Sequence, residues 1–172
     1  MFLRNCWYVA AWSEEVARAP LARVFLGLPV MLYRTETGEA VALEDRCCHR
    51  TAKLSKGWCK DGNIVCGYHG WEYDRDGKLV MIPQFPFEQP IPDAKARSFR
   101  SQTKYGYVWV ALDEPLGDIP DVPEDGKPGY RRIHQFYDKW NTAALRLMEN
   151  SFDNAHFAFV HKGTFGQLSQ PE

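Results

Sequence analysis

Short apolar runs broken by glycine and proline fill the first two thirds of the chain. Runs of this length between turn residues are typical of the strands of an all-β fold. They predict strands at residues 7–10, 24–26, 29–34, 40–43, 64–65, 78–83 and 107–112. Turns are predicted at residues 27–29, 37–39, 61–63 and 74–77. One helical turn is predicted at residues 13–16, where Ser13 is a candidate N-cap and two acids follow it.

The pattern changes after residue 113. Residues 114–129 hold four prolines and three glycines without apolar periodicity, which is typical of a connector. Residues 133–140 predict a strand, and helix-forming residues follow from 143, with Asn141 or Thr142 as N-cap. We therefore predict a mainly β domain at residues 1–113, a linker at 114–132, and the beginning of a second domain at 133–172.

Composition and charge narrow the function classes. The chain has 172 residues, of which 45% are hydrophobic and 25% charged, as in globular proteins. The net charge of -1 implies neither a nucleic acid nor an anionic membrane as partner. No apolar run approaches the ~20 residues of a membrane span, and the first residues lack a signal-peptide pattern. The five cysteines are an odd number, which favours free thiols in a reducing cytoplasm.

Two mixed cysteine and histidine pairs are the strongest chemical signal. Cys47 and His49 are two residues apart, and Cys66 and His69 are three apart. Each pair offers one thiolate and one imidazole from a short segment, which suits a cluster of two irons with different ligands. A structural zinc ion is the alternative, since zinc also binds two cysteines and two histidines. Zinc fingers, however, usually group the cysteines at one end of the motif and the histidines at the other.

The two pairs, followed by Gly70-Trp71, resemble the cluster motif of the Rieske non-haem iron oxygenases that hydroxylate rings or remove methyl groups. The opening residues 4–10 resemble the start of the vanillate and dicamba demethylase type. The resemblance implies a Rieske domain of antiparallel sheets in which Cys47, His49, Cys66 and His69 bind a [2Fe–2S] cluster. The family usually has proline at the position of Cys48, which here adds a thiol beside the cluster.

Basic side chains surround the first cysteine and histidine pair. Residues 46–60 contain no acid and five basic residues: Arg46, Arg50, Lys53, Lys56 and Lys60. Such a run is either a solvated loop or a docking patch for an acidic electron donor. The sequence leaves both interpretations open.

A second constellation lies in the predicted helix. Asp153 and His156 are three residues apart and should share one helix face, and His161 follows five residues later. Two histidines and a carboxylate are the ligand set of non-haem iron oxygenases. The spacing resembles the mononuclear-iron motif of the same family. The resemblance implies iron ligands at His156 and His161, with Asp153 as the catalytic carboxylate that bridges to a cluster histidine of a neighbouring subunit.

The resemblance implies the N-terminal portion of an oxygenase that contains a cluster and a mononuclear Fe(II). It further implies a ferredoxin- or flavin-type reductase, O2 and a small organic, often aromatic, substrate. A helix-grip-like α+β catalytic domain and a homotrimer are also implied. The family's third iron ligand lies beyond Glu172, so we expect no turnover from this chain alone. A Rieske-ferredoxin-type electron carrier is the alternative, although a simple carrier has no use for Asp153, His156 and His161. His134 belongs to neither motif and is interpreted as a surface or strand histidine.

Overall fold

A computed structural model of the protein describes residues 2–86, 88–133 and 138–169. The chain divides into two compact units, Met1–Pro128 and Gly129–Glu172. Residues 134–137, which include His134 and the centre of the predicted strand at 133–140, lie outside the described residues. None of the helices within the described ranges is long and apolar enough to cross a membrane.

The first unit is built from antiparallel strands, which confirms the predicted mainly β class. One sheet has six strands in the order β1-β10-β9-β4-β3-β2, and the other has four in the order β5-β6-β7-β8. A short 3-10 helix, Leu54–Lys56, precedes the smaller sheet. The strands are β1 (Trp7–Trp12), β2 (Leu21–Phe25), β3 (Leu28–Arg34), β4 (Ala40–Glu44), β5 (Trp58–Lys60), β6 (Asn63–Val65), β7 (Glu72–Tyr73), β8 (Leu79–Met81), β9 (Ser98–Lys104) and β10 (Tyr107–Ala111).

Strand β3 is buried on both faces, which explains its unbroken apolar sequence. Met31 and Tyr33 point into a core shared with the smaller sheet, while Val30 and Leu32 point the other way. We call the first the inter-sheet core; its buried members are Met31, Tyr33, Val41, Leu43, Cys47, Leu54, Ile64, Cys66, Tyr73, Leu79, Ile82 and Ala96. The second core contains Ala10, Ala11, Val16, Val30, Leu32, Ala40, Ala42, Phe99, Val108, Val110 and Leu112.

The helical turn predicted at residues 13–16 is wrong, because the segment forms a non-helical turn after β1. The amide of Ser13 donates to the carbonyl of Gly106 at 2.8 Å. Its hydroxyl, expected to cap a helix, instead accepts a hydrogen bond from Arg34 at 2.7 Å. Long-range partners from β3 and the β9–β10 turn therefore outcompete the local helix signal.

The segment after β10 is held against the start of the chain. The amide of Asp113 donates to the carbonyl of Arg4 at 3.1 Å, and the indole of Trp7 donates to the carbonyl of Gly117 at 3.1 Å. Ile119 is buried. The first part of the predicted linker is thus packed on the first unit, and the domain bounds given above stay a prediction.

The second unit contains two helices, α1 (Ala144–Phe152) and α2 (Phe157–Val160), within its described part. The N-cap position of α1 is Ala143, without a side-chain cap bond, so the predicted caps Asn141 and Thr142 are wrong. The helical run predicted to continue past residue 152 is also interrupted, since Asp153 is the C-cap of α1 in extended conformation. This interruption shapes the second constellation described below.

Candidate metal centres

Two loops of the first unit bring the cysteine and histidine pairs together. The first loop follows β4, and the second joins β6 to β7. The rings of His49 and His69 lie 4.7 Å apart between centroids. Cys47 and Cys66 are both buried in the inter-sheet core, and the neighbouring Cys47 contributes to the raised pKa of the Cys66 thiol. The two loops thus bring together the two histidines, and place the two cysteines in one core.

The two loops repeat the same backbone hydrogen bonds. In each, the cysteine amide donates to the carbonyl five residues later, at 2.8 Å for both Cys47 and Cys66. The amide four residues after the cysteine donates back to the cysteine carbonyl, at 3.0 Å in the first loop and 2.9 Å in the second. That fourth residue is left-handed in both, with φ of 57° at Thr51 and 73° at Gly70. The two loops thus have matching turns that present one cysteine each.

Close backbone contact joins the second loop to the chain before β5. A Cβ atom on Gly67 would lie 2.6 Å from the carbonyl oxygen of Lys56, and one on Gly57 would lie 1.8 Å from that of Val65. Both contacts are with backbone, so a side chain at either position forces the segments apart. The glycines therefore set the separation between the second loop and the segment that follows the first.

The sulfur and nitrogen side chains predicted as ligands differ in burial. Cys47 and Cys66 are 2% and 1% exposed and belong to the inter-sheet core. His49 is exposed and His69 half-buried. A pair of metal ions held by these four side chains would have one ion toward the core and one toward solvent. That asymmetry matches a centre with two thiolates on one iron and two imidazoles on the other.

The electrostatic environment favours metal binding over free ionised groups. Burial raises the pKa of the Cys66 thiol, although the backbone amides of Tyr68 and His69 oppose this effect. Desolvation, followed by the neighbouring His69 and Arg50, lowers the pKa of His49, which favours the neutral form of its imidazole. A bound metal ion deprotonates a coordinating thiol and binds a neutral imidazole. The residues present therefore suit a cluster with both ligand types.

Two aromatic residues complete the surroundings of the loops. The ring of Trp71 stacks on that of His49, with centroids 4.3 Å apart and planes 3° from parallel. The hydroxyl of Tyr73 lies 3.0 Å from the sulfur of Cys47. Burial first, and then hydrogen bonds to Cys47 and Cys48, raise the pKa of Tyr73 above its ordinary value. Sequence reasoning missed Tyr73, because its position in β7 carries no motif of its own.

The second unit brings part of the second constellation together. Asp153 Oδ2 lies 3.4 Å from His156 Nδ1, and the rings of His156 and His161 are 5.3 Å apart between centroids. The prediction that Asp153 and His156 share one helix face is wrong, because Asp153 ends α1 and His156 is the N-cap of α2. They meet across the break between the helices instead.

His156 Nδ1 is buried and faces Asp153 at 3.4 Å without a hydrogen bond. A carboxylate on this side of the ring leaves the other nitrogen, Nε2, as the one that could bind a metal. His161 stacks on Phe165 at 4.5 Å between centroids. Within the described ranges, no three histidine, cysteine, aspartate or glutamate side chains form a single-ion site.

Known proteins resemble the chain along nearly its whole length. It is 39% identical over 170 residues to the putative toluene-4-sulfonate monooxygenase system iron-sulfur subunit of Comamonas testosteroni, covering 96% of the chain and 48% of that protein. It is 37% identical over 166 residues to the oxygenase component of dicamba O-demethylase from Stenotrophomonas maltophilia, covering 94% and 48%. The chain thus spans about half the length of the curated relatives it matches.

Solved structures and a family match agree with these relatives. The structure of a Pseudomonas putida NdmA mutant with caffeine superposes with a TM-score of 0.90 at 34% identity, covering 98% of this chain and 52% of the other. Residues 6–93, which include all four cysteine and histidine ligands predicted for the cluster, match the Rieske [2Fe-2S] domain. The chain therefore belongs to the Rieske [2Fe–2S] domain family.

Proposed function

We propose that this chain is the N-terminal half of a Rieske non-haem iron oxygenase component. In this proposal, electrons pass from a reductase through the [2Fe–2S] cluster to a mononuclear iron that uses O2 to hydroxylate or demethylate a small organic substrate. The observation that carries the proposal is the second constellation in the same chain as the Rieske domain. Asp153 lies 3.4 Å from His156, whose buried Nδ1 has no hydrogen-bond partner. A Rieske-ferredoxin-type carrier does not account for it.

The proposed cluster ligands are the buried Cys47 and Cys66 on one iron, and the exposed His49 and half-buried His69 on the other. The bound cluster supplies one-electron transfer at a potential between about -150 and +300 mV. The protein's own contribution is to exclude water from the sulfur side through the inter-sheet core and to keep an imidazole edge at the surface. Trp71 orients the ring of His49 by stacking on it.

The proposed mononuclear site uses His156 and His161 with a carboxylate from the C-terminal half of the complete protein. Asp153 orients His156 by its contact with Nδ1 and, in a homotrimer, bridges to a cluster histidine of a neighbouring subunit. A carboxylate bound to a histidine fixes its ring orientation and raises its basicity. We further propose a cytoplasmic location, consistent with the cysteines outside the proposed cluster, Cys6, Cys48 and Cys59, which form no disulfide.

Metal analysis of the anaerobically purified protein tests the cluster assignment. We expect two irons and two acid-labile sulfides for the first unit, a brown colour and a Rieske-type paramagnetic signal after reduction. A colourless protein with stoichiometric zinc would contradict the assignment. If the cluster is present but the complete protein consumes no O2 with reductase and aromatic methyl ethers, N-methyl compounds or aryl sulfonates, the electron-carrier alternative stands.

The proposed reductase docks on a basic surface around the first loop. Arg46, Arg50, Lys53 and Lys56 are exposed, and within the described part of the chain no ion pair engages them. Lys60 differs, because it pairs with Glu72 at 2.9 Å. Trp58 lies on the edge strand β5, two residues after Lys56 in the sequence, and is 52% exposed. A partner with acidic groups around an apolar patch would complement this surface.

Charge reversal tests the docking surface. We expect Lys53→Glu combined with Lys56→Glu to slow cluster reduction at low salt by at least about 10-fold, because electrostatic steering raises association rates by 10-fold or more. The potential of the cluster should not change. Stopped-flow reduction at several salt concentrations measures the rate, and Lys127→Glu, outside both loops, is the matched control. If the rate of cluster reduction changes neither with salt concentration nor with the two lysine substitutions, the basic run is a solvated loop and not a docking surface.

A further inference from the structure

We propose that the Cys48 thiol raises the reduction potential of the cluster by donating a hydrogen bond to Tyr73, whose hydroxyl in turn donates to Cys47. Cys48 is a positioning residue here and not a cluster ligand. This inference rests on the proposed function, because it takes Cys47 to be a ligand of the cluster.

Three atoms surround the Tyr73 hydroxyl. The sulfur of Cys47 lies 3.0 Å from it, the sulfur of Cys48 lies 3.2 Å from it, and the amide of Cys48 donates to it at 3.3 Å. Tyr73 is 0% exposed, so these contacts replace those that water would make. Cys48 is exposed and lies outside the inter-sheet core. The thiol of this exposed residue is therefore in contact with the buried hydroxyl of Tyr73.

Counting donors and acceptors fixes the direction of the bonds. A phenol has one proton to donate and two lone pairs to accept with. A metal-bound Cys47 is a thiolate and can only accept hydrogen bonds. The O–H group of Tyr73 is therefore the donor to Cys47. The two lone pairs of Tyr73 then accept the amide and the thiol of Cys48. All the hydrogen bonds around the Tyr73 hydroxyl can form together only when the thiol of Cys48 is a donor. The result is a series of hydrogen bonds from Cys48 through Tyr73 to Cys47.

This series of hydrogen bonds affects the reduction potential of the cluster. Hydrogen bonds to cluster sulfurs are one of the factors that set the potential of iron–sulfur centres, because they stabilise the more negative reduced state. Hydrogen bonds in series polarise one another inside a protein. A donor at Cys48 therefore strengthens the bond from Tyr73 to Cys47 without touching the cluster. Removing it should lower the potential by less than removal of the Tyr73 hydroxyl itself.

The substitutions separate the thiol from the other contacts. Cys48→Ala keeps the backbone amide at Tyr73 and removes only the S–H group, and Cys48→Ser restores a donor. Because Cys48 is exposed, neither change leaves a buried cavity. Tyr73→Phe removes the hydroxyl and so interrupts the series of hydrogen bonds. Cys6→Ala removes a free thiol that contacts the carbonyl of Leu3 instead, and serves as the matched control.

The experiment measures the midpoint potential of the anaerobically purified holoprotein by spectroelectrochemical titration at one pH, with iron and sulfide content determined for each variant. We expect Cys48→Ala to lower the potential, Cys48→Ser to return it toward the wild-type value, and Cys6→Ala to leave it unchanged. In the Tyr73→Phe background, Cys48→Ala should have no further effect. Such a result assigns the shift to the hydrogen bond with Tyr73.

Three results overturn the proposal: no shift with Cys48→Ala, an equal shift with alanine and serine, or a shift of undiminished size in the Tyr73→Phe background. The last would mean that the thiol acts on the cluster directly. Failure of the cluster assignment, on which this inference rests, is distinguishable, because the wild-type protein would then lack a [2Fe–2S] spectrum before any variant is compared. That result would remove the basis for both proposals.

Discussion

Replacing His156 by alanine in the complete protein is expected to abolish O2-dependent turnover while leaving the cluster unchanged. His156 belongs to the second unit, and its Nδ1 is buried without a hydrogen-bond partner. Loss of one imidazole leaves the proposed iron with too few ligands to stay bound. Turnover measured with reductase and substrate should fall to background, whereas the visible spectrum and the rate of cluster reduction should match the wild type.

Asp153→Ala should give a different pattern from His156→Ala. The carboxylate of Asp153 contacts His156 at 3.4 Å and is proposed to orient the ring rather than bind the iron. Partners of this kind typically contribute about 10- to 100-fold in metal affinity or activity. We therefore expect a loss of at least this size in turnover, with cluster reduction by the donor intact.

Glu149→Gln is the matched control for Asp153→Ala. Glu149 lies on the same helix α1 and pairs with Arg146 at 2.6 Å instead of contacting a histidine. Its substitution should leave turnover near the wild-type level. Full activity of Asp153→Ala would contradict the proposed role of this carboxylate. Turnover by the 172-residue chain itself would contradict the need for a ligand from the C-terminal half and make Glu149 the first candidate.

His49→Cys is expected to lower the cluster potential by several hundred millivolts. Rieske centres span about -150 to +300 mV, whereas plant-type ferredoxins with four thiolates lie near about -400 mV. The substitution exchanges a neutral imidazole for a thiolate at a surface position, so the cluster gains negative charge and becomes harder to reduce. Redox titration followed by electron paramagnetic resonance measures both the potential and the change in signal shape.

His161→Cys is the matched control, since it makes the same exchange in the second unit. It should not change the cluster potential. If His49→Cys fails to assemble a cluster, His69→Cys tests the same exchange on the second loop. An assembled cluster with an unchanged potential in both variants would exclude these histidines as ligands.

The sequence predicted the features that depend on local patterns. The spacing of Cys47, His49, Cys66 and His69 indicated a Rieske cluster, and the family match confirms that resemblance. The turn at residues 74–77 is confirmed between β7 and β8, and the apolar run at 29–34 became β3. Each of these signals lies within a few neighbouring residues, where spacing and turn chemistry decide the outcome.

Features decided by distant contacts could not be predicted. Strand β9 has only Phe99 as an apolar residue and forms because it pairs with β4 and β10. The left-handed φ of Thr51 could not be predicted, because β-branched residues rarely adopt this conformation. It accompanies the hydrogen bond from the Thr51 amide to the carbonyl of Cys47. The break after α1 was hidden because helix-forming residues continue past residue 152 in the sequence. In all three cases tertiary partners override local propensity.

The two separate cores of the first unit bear on how the protein survives loss of iron. Cys47 and Cys66 belong to the inter-sheet core, whereas the second core contains no proposed ligand. Because metal binding couples to folding, we expect loss of the proposed cluster to loosen the smaller sheet and its loops first. The face of the six-stranded sheet that carries the second core keeps its support. We therefore expect oxidative loss of the proposed cluster to leave a partly folded apoprotein, whose six-stranded sheet remains as a scaffold for insertion of a new cluster.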